Sequence, residues 1–114
     1  MAKSVTIYHN PKCTTSCNVL AMIEEAGAKP KVVEYLKTDW TKPQLKALFA
    51  AAGVSPREAM RKKAAEDIGI SEKATAAQIL DAMVAHPVLV ERPFVETGKG
   101  VRLCRPKEKV RELL

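Results

Sequence analysis

Aromatic residues are scarce in this 114-residue chain: Tyr8, Tyr35, Trp40, Phe49 and Phe94 are all of them. No basic run interleaves with them as on a base-stacking surface, so the net charge of +6 and pI near 9.4 do not point to nucleic acid. The densest basic run, Arg61-Lys62-Lys63, reads as a solvated helix face. Long apolar stretches are missing too. None approaches the roughly 20 residues needed to cross a bilayer, and the N-terminus MAKSVTIYHN has no extended apolar core of a signal peptide. The expectation is a cytoplasmic protein without a membrane partner. Cysteine is limited to Cys13, Cys17 and Cys104, an odd number that does not make a disulfide scaffold. His9, Cys13 and Cys17 are close in sequence, but their spacing fits no common zinc pattern, so no metal is expected.

What is present is ordinary for one globular domain. Hydrophobic residues make up 46% and charged residues 28%, with seven prolines and five glycines scattered along the chain. A chain of 12.5 kDa is long enough for one core. The expectation is one domain spanning residues 1–114 and acting as a monomer.

Residues 4–8 alternate as a half-buried strand, with Val5 and Ile7 on one face. From Thr14 to Ala26 the residues Val19, Leu20, Ile23 and Ala26 recur at helical spacing, and Gly27 is placed as the C-terminal cap. "KVVEYL", residues 31–36, reads as a second strand and completes a βαβ unit. Three short helices are predicted over about 41–86. The first is marked by the Thr41/Gln44 capping box, a Trp40/Leu45 staple and Gly53; the second by Ser55/Glu58 with Pro56; the third by Thr75/Gln78 before Ile79, Leu80, Met83 and Val84. Strand patterning returns over 94–96 and 101–104 around a turn at 97–100, and Pro106 opens a terminal helix with Val110, Leu113 and Leu114. The predicted fold is α/β: a mixed four-stranded sheet, βαβ then ββα, with a helical insertion.

The segment HNPKCTTSCN, residues 9–18, falls in the turn after the first strand, where open α/β sheets bind ligands. Cys13 stands just before the helix. Unpaired backbone N–H groups and the positive end of the helix dipole favour a thiolate there and also attract an anion. This makes Cys13 the candidate nucleophile, acting on an oxyanion or a disulfide. Cys17, one turn later, is expected to pack as a small apolar residue at the edge of the Val19/Leu20 stripe, with a resolving role as the alternative. Cys104 is expected to be packing. An oxyanion calls for fixed cations, and Arg61, Arg92 and Arg105 are the candidates. His9 is either a charge partner of Cys13 or a strand-end residue.

The motifs TIYHNPKCTTSCN, REAMRKK, HPVLVERPFV and RLCRP, in this order, closely resemble the arsenate reductase family of the glutaredoxin-coupled ArsC type. The resemblance implies a thioredoxin-like fold with a helical insertion. It implies Cys13 as the nucleophile on arsenate, with Arg61, Arg92 and Arg105 binding the oxyanion. His9, Asn10 and Ser16 stand where the family places its thiolate-stabilising neighbours, and Pro93 where thioredoxin-like folds carry a cis-proline. Glutathione is implied as co-substrate and glutaredoxin as partner, with no tightly bound cofactor. Cys17 occupies the place of a usual family arginine. Two relatives share the fold: a glutathione-dependent thiol/disulfide oxidoreductase, and an Spx-like regulator that binds RNA polymerase. The latter typically carries Cys-x-x-Cys, whereas this chain has Cys-x-x-x-Cys.

Overall fold

The computed structural model describes residues 4–114 and divides into two units. One unit holds the chain up to Thr38 together with Arg92–Leu114; the other is Asp39–Glu91.

The first unit is built on four strands, β1 (Val5–Tyr8), β2 (Lys31–Val33), β3 (Phe94–Thr97) and β4 (Gly100–Leu103), in the order β2-β1-β3-β4. β1 and β2 are parallel, joined through helix α1 (Thr14–Glu25), while β3 runs antiparallel to both β1 and β4. This is a mixed, thioredoxin-like sheet. Its alternation decides the core: Val5, Ile7 and Val95 face inward and are buried with Val19 and Ile23 of α1, Cys104, and Val110 and Leu113 from the C-terminus.

Register places the functional segments. Tyr8 pairs with Phe94, and Phe94 with Leu103, so the last residue of β1, the first of β3 and the last of β4 lie in one row. The segments beyond that row, 9–13, 92–93 and 104–105, therefore share one edge of the sheet.

The second strand and the terminal helix differ from the sequence reading. The second strand stops at Val33 rather than residue 36, because β1 supplies no partner further on: the His9 N–H closes on the Val33 carbonyl at 2.8 Å. Glu34 instead accepts from Lys37 and Thr38, and Tyr35–Thr38 forms one helical turn, α2. The terminal helix is a 3-10 helix, Lys107–Glu112. With three residues per turn, Val110 and Leu113 stack on one face, and both are buried. Helix α1 ends as read, with the Gly27 and Ala28 N–H groups bonding back to Glu24 and Ile23 around a left-handed Gly27.

The second unit contains α3 (Lys42–Ala52), α4 (Lys62–Ile68), α5 (Ala76–Ala85) and a 3-10 turn, Pro87–Leu89. The Thr41/Gln44 and Thr75/Gln78 boxes both form, capping α3 and α5. Trp40 and Leu45 are buried, as a staple requires, and Gly53 closes α3 at φ 70°. The Ser55/Glu58 box also forms but supports a single turn, not the expected helix. Beyond it the backbone is drawn into pairing with residues 89–91: Arg61 N–H donates to Leu89 at 2.7 Å and Glu91 N–H to Ala59 at 2.7 Å. Helix α4 starts only after that pairing, with Arg61 as its N-cap.

Candidate active site

The segment between β1 and α1 is held by its own polar atoms. Asn10 opens a turn in which its carbonyl accepts the Cys13 N–H at 3.0 Å, while its side-chain Oδ1 accepts the Lys12 N–H at 2.9 Å. The Asn10 N–H donates to Ser16 Oγ at 3.2 Å, and His9 Nδ1 is hydrogen-bonded to the same hydroxyl. His9, Asn10 and Ser16 are all buried. This closed network ties the end of β1 to the first turn of α1, leaving Cys13 little freedom of position.

Cys13 is the N-cap of α1, with extended backbone at φ −97° and ψ 120°. No full side-chain capping bond is made, and the first turn has no acidic residue to neutralise the helix end. That end is left for another anion. Burial alone pushes the thiol pKa up, but the Ser16 backbone N–H, the Arg92 guanidinium through both hydrogen bond and charge, and Arg105 together hold it below the ordinary value.

Arg92 is buried, 4% exposed, and Arg92–Pro93 is a cis peptide bond, as is Arg105–Pro106. Arg105 is exposed; its Nη1 lies 3.9 Å from Cys13 Sγ and donates to the Arg92 carbonyl at 3.0 Å. One thiol and two guanidinium groups thus meet at the shared sheet edge. Arg61 belongs to the other unit, half-buried at the start of α4 with its backbone fixed by Leu89.

Of the two readings of His9, the geometry shows a strand-end residue whose Nδ1 is hydrogen-bonded to the Ser16 hydroxyl. Burial lowers its pKa, against a smaller opposing effect of Glu34. Cys17, expected to pack, is instead exposed, because its place on α1 faces away from the buried Ser16, Val19 and Ile23; its thiol donates to the Pro11 carbonyl at 3.3 Å. Cys104 is fully buried, and desolvation pushes its pKa up to about 12, which leaves it inert.

Sequence reading missed the groove beside Arg105, about 350 Å³ and lined by Thr15, Asn18, Arg105, Pro106, Lys107 and Glu108. Its signal was the charge alternation after RLCRP, which reads equally well as a solvated helix.

The chain matches the ArsC family model over residues 8–113. It is 59% identical to arsenate reductase ArsI2 from Synechocystis sp., covering 96% of this chain and 81% of that protein. It is 45% identical to an arsenate reductase of Escherichia coli strain K12, over 97% of this chain and 81% of the other. An arsenate reductase structure from Vibrio cholerae superimposes with a TM-score of 0.93 at 37% identity, covering both chains fully. With the sheet order, the thiol at the helix N-terminus and the match along nearly its whole length, the chain belongs to the ArsC family.

Proposed function

We propose that this protein reduces arsenate to arsenite, with glutathione and glutaredoxin supplying the electrons. The observation that carries this reading is the convergence of Arg92 and Arg105 on the Cys13 thiol at the N-terminus of α1. The same positive groups serve two ends: they favour the thiolate form of the sulfur and attract an oxyanion to it. The relatives' assigned activity supports this reading.

In the proposed reaction the Cys13 thiolate attacks arsenic, and an arsenate hydroxyl takes a proton from solvent and leaves as water. Arg92 and Arg105 balance charge on the remaining oxygens. A glutathione thiolate then attacks the Cys13 sulfur. The S–As bond electrons pass to arsenic, which leaves as arsenite, and Cys13 is left as a mixed disulfide that glutaredoxin reduces. The groove beside Arg105 suits the tripeptide: Arg105 and Lys107 match its carboxylates and Glu108 its ammonium group.

The test is an NADPH-coupled assay with glutathione, glutaredoxin and glutathione reductase, comparing arsenate with a small glutathione mixed disulfide. Arsenate-dependent NADPH oxidation is expected. Turnover of the mixed disulfide alone would assign the protein to thiol/disulfide exchange instead. Arg92→Ala should cost on the order of 100- to 1000-fold in arsenate turnover if it acts like an oxyanion-hole donor.

A further inference from the structure

Cys17 is a thiol that the proposed reaction does not use, and its position is specific. It is exposed in the first turn of α1, with its N–H bonded to the Cys13 carbonyl at 3.0 Å. Four residues of helix separate Cα atoms by about 6 Å, within the roughly 4.4–6.8 Å span of disulfides. Helical side chains lean toward the N-terminus, and the Cys17 sulfur does so, reaching the Pro11 carbonyl at 3.3 Å. Pro11 lies two residues before Cys13, so the second sulfur hangs over the loop that carries the first. Cys13 is the N-cap, so with its backbone held, rotation of its side chain alone turns its sulfur toward Cys17. Buried Cys104 has no access to this edge chemistry.

We infer that Cys17 is an intramolecular resolving thiol, which displaces glutathione from Cys13 and stores the oxidised state as a Cys13–Cys17 disulfide. This rests on the reading of Cys13 as the nucleophile that becomes glutathionylated. The Cys17 thiol gives its proton to solvent and its thiolate attacks the Cys13 sulfur. The Cys13–glutathione S–S bond breaks, the Cys13–Cys17 S–S bond forms, and glutathione leaves as its thiolate. One disulfide replaces another, with no net oxidation. Glutaredoxin, or another dithiol reductant, then meets an intramolecular disulfide instead of a glutathione adduct.

The experiment uses the reduced full chain, exposed to glutathione disulfide, quenched with acid, and read by intact mass and peptide mapping. Wild type should lose the adduct and show the Cys13–Cys17 disulfide, whereas Cys17→Ser, which keeps a hydroxyl for the Pro11 carbonyl, should accumulate glutathione on Cys13. A wild type that retains glutathione on Cys13 as fully as Cys17→Ser overturns the inference and leaves the nucleophile assignment standing. Faster modification of Cys17 in Cys13→Ser than of Cys13 in Cys17→Ser also overturns it, by reversing the roles. If Cys17→Ser takes up no glutathione at Cys13 and wild type forms no Cys13–Cys17 disulfide, the nucleophile assignment fails with it.

Discussion

At the scale of single residues, three cysteines of one chain are separated by surroundings alone. Cys104 is desolvated into inertness, Cys17 is exposed, and Cys13 is held below the usual thiol pKa by Ser16, Arg92 and Arg105 against its own burial. The rate of Cys13 alkylation by iodoacetamide, followed against pH, should therefore have its midpoint below that of an ordinary free thiol. Arg92→Ala should move that midpoint upward; an unmoved midpoint would contradict the role given to Arg92. The linkage has the same sign. A depressed thiol pKa stabilises the fold above the unfolded value of about 8.5, and that contribution is lost as pH falls through the lower folded value. For His9, also lowered on folding, stability is full above about 6.5 and falls as the pH drops through its folded pKa. Thermal denaturation from pH 7 down to 5 should show this loss, and His9→Asn should flatten it. An equally steep slope in the variant would mean that His9 is not its source.

At the scale of elements, local signals were legible and long-range ones were not. Thr41/Gln44 and Thr75/Gln78 are contained within four residues, so their capping boxes could be read directly and are both present. Thr75→Ala should cost about 1 kcal/mol in urea denaturation, the usual loss for an N-cap hydroxyl. An unchanged midpoint would mean that the cap contributes nothing to α5. Ser55/Glu58 carries the same local signature and makes the same bonds, yet pairing of 59–61 with 89–91 ends its turn. That competitor lies about thirty residues away and leaves no local mark. The convergence of residues 9–13, 92–93 and 104–105 is hidden for the same reason: it depends on the Tyr8–Phe94–Leu103 register. Resemblance to a family placed Arg92 and Arg105 at the site where spacing alone could only nominate them.

At the scale of the whole molecule, the sheet core ends at a charged edge. Ile7 is fully buried in the layer between the sheet and α1, one residue before the row that sets that edge. Ile7→Ala should destabilise the protein by about 2–5 kcal/mol, measured by chemical denaturation, as cavity-forming core truncations do. A loss well under 1 kcal/mol would show that the core is not closed there. Whether the Cys13 thiolate performs arsenate chemistry is read from arsenite formed from arsenate by purified wild type and Cys13→Ser, with glutathione and glutaredoxin present. Steady arsenite production by wild type and none above background by Cys13→Ser is expected; equal production by the two proteins would show that Cys13 is not the nucleophile.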